Sequence, residues 1–90
     1  MYSVIIDKKA QREILQIIKS GDKKSTKRLH QIFFELEMHP KEGIGNPEML
    51  KHDLTGLWSR RINKKDRLIY EVQDEIVTVF VVSAMGHDED

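Results

Sequence analysis

The sequence predicts an α+β fold, with two N-terminal helices packed on one face of a small, mostly antiparallel β-sheet in the order β-α-α-β-β-β. Three observations carry this. Two helical stripes of apolar residues lie between Asp7 and Pro40. Three apolar segments joined by short polar turns follow Leu57, as in a meander. A run rich in β-branched residues opens the chain.

Tyr2–Ile6 is that opening strand. Asp7 is placed to cap the next element, because its carboxylate can accept from the free N–H groups of a first helical turn. Ala10, Ile14, Ile17 and Ile18 recur at helical spacing through Ser20, and Gly21 and Asp22 break the helix. Ser25 or Thr26 is the expected cap of a second helix. Its stripe is Leu29, Ile32, Phe33 and Leu36, and Pro40 ends it. Lys41–Pro47 holds Gly43, Gly45 and Pro47 and reads as a flexible loop. Leu57–Ile62 is the next strand, and Lys64, Lys65 and Asp66 make a turn. Arg67–Val72 alternates, with Leu68, Tyr70 and Val72 on one face and Arg67, Ile69 and Glu71 on the other. Gln73, Asp74 and Glu75 turn the chain again. Ile76–Ala84 is almost continuously apolar, as in a central strand buried on both faces.

A length of 90 residues predicts one domain spanning 1–90, able to bury roughly 60–65% of its unfolded surface. Hydrophobic content of 39% and charged content of 33% fit a folded soluble protein, not a disordered chain. With no cysteine, disulfides, thiolate metal sites and a cysteine nucleophile are excluded, which suits a cytoplasmic protein. The opening apolar run is too short for a secretory leader, and no run is long enough to cross a membrane. The net charge of zero conceals a segregation. Lys51, Arg60, Arg61, Lys64, Lys65 and Arg67 face only Asp53 and Asp66 across the same stretch, and every charged side chain after Arg67 apart from His87 is acidic. A basic centre favours an anionic partner such as RNA phosphate; a solvated charged surface is the plainer reading of the same run.

Pro47 to Ile62 reads PEMLKHDLTGLWSRRI, and DRLIYEV follows at Asp66–Val72. This closely resembles the YoeB/Txe toxins of bacterial type II toxin–antitoxin pairs, within the RelE/ParE superfamily. Their pattern is P-E-x-L-K-x-x-L-x-G-x-W-S-R-R-I, then a segment like H-R-L-V-Y and an ending near H-Y. The motifs cover the chain from about Pro40 onward. The resemblance implies a RelE-like fold and a ribosome-dependent endoribonuclease, an mRNA interferase cutting translated mRNA in the ribosomal A site without metal or cofactor. It makes Glu48 the general base, Arg67 the holder of the scissile phosphate and His87 the general acid. Lys51, His52, Arg60, Arg61, Lys64 and Lys65 would contact mRNA or ribosomal RNA. It implies silencing by a cognate antitoxin of the YefM/Axe/Phd kind, and a toxin dimer. The tyrosine usual after the histidine is Asp88 here. A weakened toxin, an engineered inactive variant and a shifted alignment each account for it.

The residues support this chemistry on their own terms. Strand cleavage by a neighbouring 2′-hydroxyl needs a base, a cation for the phosphorane charge and an acid for the leaving oxygen. Each residue also has a plainer reading. Glu48 is a surface carboxylate beside a proline, Arg67 pairs with Glu71, and His87 lies in a ragged acidic terminus. Trp58 reads as packing, His30 as solvated and His39 as a helix-end residue. No metal-ligand spacing, glycine-rich phosphate loop or serine elbow is present. A same-fold toxin or inactive relative acting by protein binding, without RNA cleavage, is the competing reading.

Overall fold

The computed structural model describes residues 1–51, 53 and 56–86. The elements are β1 (Ser3–Ile6), α1 (Lys8–Lys19), α2 (Lys23–Met38), β2 (Glu48–Met49), β3 (Leu57–Arg61), β4 (Arg67–Gln73) and β5 (Thr78–Ser83), with a 3-10 turn at Asp74–Ile76. The sheet runs β1-β5-β4-β3-β2. β1 and β5 are parallel and every other pair is antiparallel. The predicted α+β architecture is therefore the observed one. Its parallel pair arises because the first strand returns, after both helices, beside the last.

Asp7 caps α1 as expected, accepting from the Ala10 N–H at 2.8 Å. The expectation of Ser25 or Thr26 as the cap of α2 is corrected. The helix starts earlier, and Asp22 caps it by accepting from the Ser25 N–H at 3.1 Å and from its hydroxyl at 2.7 Å. A carboxylate next to Gly21 serves both signals, ending one helix and opening the next. Ala10, Ile17, Leu29, Ile32 and Leu36 from the helices bury against Leu68, Tyr70, Val79 and Val81 of the sheet.

The alternation of β4 holds, with Leu68 and Tyr70 fully buried and Arg67, Ile69 and Glu71 only partly so. β5 is shorter than predicted and not buried on both faces. Val79 and Val81 are buried, while Phe80 and Val82 look onto the half-open outer face. Ile76 and Val77 belong to the preceding turn. Val77 takes the left-handed conformation at φ 50°, which reverses the chain. Among the described residues, no helix is long and apolar enough to cross a membrane.

The segment expected to be a flexible loop is fastened to the body. Arg60 donates to the carbonyls of Glu42 at 2.7 Å and Ile44 at 3.3 Å. The Ile44 N–H donates to Glu35 Oε1 at 2.9 Å, and the Arg61 N–H to the Gly45 carbonyl at 2.7 Å. Gly43 makes the approach possible. At φ 128°, a Cβ there would lie 1.9 Å from Glu35 Oε1.

Candidate active site

The fastened loop delivers the chain to β2, a two-residue edge strand that sequence periodicity does not register. Glu48 pairs in register with Ser59 of β3, and Ser59 with Ile69 of β4. Cross-strand partners share a face, so Glu48 and Ser59 lie on the outer side, as does Arg67. Arg67 Nη1 donates to Glu48 Oε1 at 3.3 Å and to Ser59 Oγ at 3.4 Å. The Glu48 side chain is 52% exposed and that of Arg67 22%. The structure therefore brings Glu48 and Arg67 together on an open sheet end. It adds Ser59, which sequence reading passed over. Alternation along LWSRR was the available signal, since it sets Leu57, Ser59 and Arg61 on one face.

The remaining expected residues divide. His87 and His52 lie outside the described residues, as does Asp88. Arg61 is exposed and stands in register beside Arg67, and the β3–β4 turn adds exposed Lys64 and Lys65. Lys51 is exposed just beyond β2. Arg61, Lys64 and Lys65 border the Glu48–Arg67 end, whereas Lys51 lies past the Leu50–Leu57 step of the ladder, away from Arg67. Arg60 departs from the expected RNA contact. It is fully buried and forms an ion pair with Glu35. It also donates to the Tyr70 hydroxyl at 3.1 Å and to the carbonyls of His39 and Pro40 at 3.3 Å each. With no exposed atom to offer a phosphate, it is an internal strut. The physical reason is the face: Trp58 packs inward and Ile62 is buried, so the residue between them turns inward too.

Burial works to raise the Glu35 pKa. Hydrogen bonds from Gln31, the Ile44 N–H and Arg60, with the Arg60 charge, outweigh it and hold the carboxyl below its usual range. Burial also pushes the Tyr70 hydroxyl up, against the pull of Arg60. That hydroxyl donates to the Pro40 carbonyl at 2.9 Å. Among the described residues, no group of three His, Asp or Glu side chains could hold a metal ion.

The chain also reaches this end of the sheet a second time. The Arg67 N–H donates to the Gly86 carbonyl at 3.1 Å, so Gly86 lies beside Arg67.

Comparison with known proteins bears on the fold and the family. A model of the YoeB-like toxins of bacterial type II toxin–antitoxin systems matches residues 6–87. A toxin YoeB of Streptomyces coelicolor is 41% identical over 67 residues, 74% of this chain and 77% of that protein. A YoeB–YefM complex from Staphylococcus aureus superposes with a TM-score of 0.77 at 30% identity, covering 98% of this chain and 99% of that one. A YoeB dimer from the same species gives 0.79 at 32% identity, covering 97% and 98%. The chain belongs to the YoeB-like toxins of bacterial type II toxin–antitoxin systems.

Proposed function

We propose that this toxin is a ribosome-dependent endoribonuclease that cuts translated mRNA in the ribosomal A site, with Glu48, Arg67 and His87 as its reacting groups. The observation that carries the reading is the Glu48–Arg67 pair on an open sheet end, bordered by exposed Arg61, Lys64 and Lys65. Glu48 takes the proton of the 2′-hydroxyl as that oxygen attacks phosphorus. Arg67 holds the phosphate oxygens as charge builds on them. His87 gives a proton to the departing 5′ oxygen, leaving a 2′,3′-cyclic phosphate and a 5′-hydroxyl. No metal or other cofactor enters these steps. A partly exposed pair such as Glu48–Arg67 contributes only about 0–1 kcal/mol, so a phosphate displaces it readily. Base and acid each supply about 10²–10⁴-fold. Alignment of the message by the ribosome supplies up to about 7–11 kcal/mol more, which explains why so small a site needs that partner. The exposed cations, with His52, contact mRNA and ribosomal RNA. By likeness to the S. aureus proteins, a YefM-like antitoxin silences this chain, and two copies pair.

Primer extension on translated mRNA tests this. Cuts confined to the A site, and lost in Glu48→Gln, are expected; their absence with ribosomes present sinks the reading. Asp88, where related toxins have tyrosine, favours the second reading, a toxin of the same fold that acts by binding alone. Under the first reading Asp88→Tyr raises cleavage; under the second neither form cuts.

A further inference from the structure

β5 ends at Ser83, and the residues after it leave the sheet. The N–H groups of Ala84, Met85 and Gly86 are nevertheless all engaged. The N–H groups of Ala84 and Met85 both donate to Glu13 Oε1, at 2.8 and 3.3 Å. The Gly86 N–H donates to Asp66 Oδ1 at 3.2 Å. Neither carboxylate is a neighbour in sequence. Glu13 belongs to α1, and Asp66 immediately precedes Arg67.

Both acceptors are themselves held. Glu13 pairs with Lys9 one helical turn earlier at 3.0 Å. Asp66 is 3% exposed. Asn63 Oδ1 accepts from its N–H at 2.8 Å, and Asn63 Nδ2 donates to its Oδ2 at 3.2 Å. The same Asn63 nitrogen donates to Ser25 Oγ at 2.8 Å, and that hydroxyl donates to the Asp22 cap of α2. The path of three consecutive residues is thus set by α1, by the β3–β4 turn and, through Asn63, by the start of α2. Bonds from N–H to an ionised carboxylate are about twice as strong as neutral ones. One carboxylate oxygen has lone pairs for two donors, which is how Glu13 holds Ala84 and Met85 together. Burial works to raise the Glu13 pKa, and the bonds from Ala84, Lys9 and Met85 overcome it, keeping the carboxyl below its usual range.

We propose that Glu13 and Asp66 form a carboxylate clamp on Ala84–Gly86 that holds this segment against the Arg67 backbone and positions Arg67 for the cleavage reaction. They are positioning residues and touch no substrate. The first half stands on the hydrogen bonds alone; the second rests on the function proposed above. Motion of about 1 Å at a reacting group costs up to about 10²-fold in rate, so a clamp far from the phosphate acts on turnover more than on binding.

The full chain tests both halves, by amide exchange and ¹⁵N relaxation in solution and by cleavage kinetics on translating ribosomes. In Glu13→Ala, exchange at Ala84 and Met85 should rise by about tenfold or more while Val79 and Val81 stay unchanged, the mark of local release. The amide of Gly86 should gain motion, and kcat should fall about tenfold with KM nearly constant. Glu13→Gln keeps one acceptor oxygen and should restore both readouts. Unchanged exchange at Ala84 and Met85, or equal acceleration at Val79 and Val81, overturns the clamp. Released amides with full kcat, or a loss confined to KM, overturn the positioning role. If wild type makes no cut, the functional reading and the positioning role fall together, and exchange alone still decides the clamp.

Discussion

Arg60 is fully buried, whereas the Arg67 side chain keeps 22% of its surface exposed on the neighbouring strand. Substituting Arg60 by leucine leaves Glu35 as an unpaired charge in the interior and strips donors from four loop carbonyls. Removing one partner of a buried pair typically costs about 3–5 kcal/mol, so a lower urea midpoint is expected. Arg60→Lys should recover little of it, because one ammonium cannot span the acceptors that the guanidinium fork reaches. Arg67→Lys should do the reverse. The fold loses about 0–1 kcal/mol, while A-site cleavage drops about 10²–10³-fold for want of a bidentate anion clamp. Equal unfolding in Arg67→Lys and Arg60→Lys would contradict this division. The family motif presents the two arginines of WSRR alike. The strand period separates them, because Trp58, Arg60 and Ile62 share a face and two of the three are apolar. Ser59 and Arg61 were legible by the same count. Glu35 was not: inside the run Phe33-Phe34-Glu35-Leu36, nothing local shows that an arginine from β3 will cover it.

At the scale of elements, both helices and strands β3 to β5 follow from periodicity, and the errors fall at their ends and between them. Val77 shows why. As a β-branched residue it reads as strand, yet it closes the turn at φ 50°, where such a side chain is strained. Val77 is 44% exposed, so Val77→Asn loses little packing and relieves the conformation. A gain of about 1 kcal/mol is expected, or about 4–8 °C in Tm for a domain of this size. A lower Tm would show that the side chain matters more than the backbone. The 41–47 segment misleads in the other direction. Its two glycines and Pro47 signal flexibility, but Gly43 serves close approach to Glu35 and Arg60. In Gly43→Ala the added carbon meets a carboxylate already committed to Ile44 and Arg60, in a conformation unfavourable to alanine. The loop and the Glu48 strand it delivers should shift together. A stability loss of about 1–3 kcal/mol is expected alongside reduced cleavage. Full activity would mean that β2 holds its place without the loop.

Across the whole molecule, the anionic side chains work largely for the fold and the cations largely face outward. Asp7 and Asp22 cap helices, Glu13 holds the residues after β5, and Glu35 balances Arg60. Lys51, Arg61, Lys64 and Lys65 are exposed. A chain of zero net charge can therefore present a basic face to an anionic partner, and it also becomes sensitive to acid. Glu13 and Glu35 are both held below the ordinary glutamate range in the folded state, and in the unfolded chain each returns to about 4.3. Between the folded and unfolded values the unfolded chain binds more protons, so stability rises with pH through that interval. The contribution is complete above the unfolded value and drains away as pH falls through the folded one. Tm should be nearly flat from pH 7 to about 5.5 and fall below about 4.5. Glu13→Gln removes one titrating group while keeping an acceptor for Ala84, so its acid limb should be shallower than that of wild type. Two of the bonds at Glu13 run to backbone N–H groups, which salt does not screen, and the third is the ion pair with exposed Lys9. About 1 M salt, which screens exposed pairs such as Lys41–Asp74, should leave most of the Glu13 difference in place. A Glu13→Gln curve parallel to wild type would show that Glu13 binds its proton equally in both states, and a Tm that rises on acidification through this window would mean that the folded chain binds the extra protons.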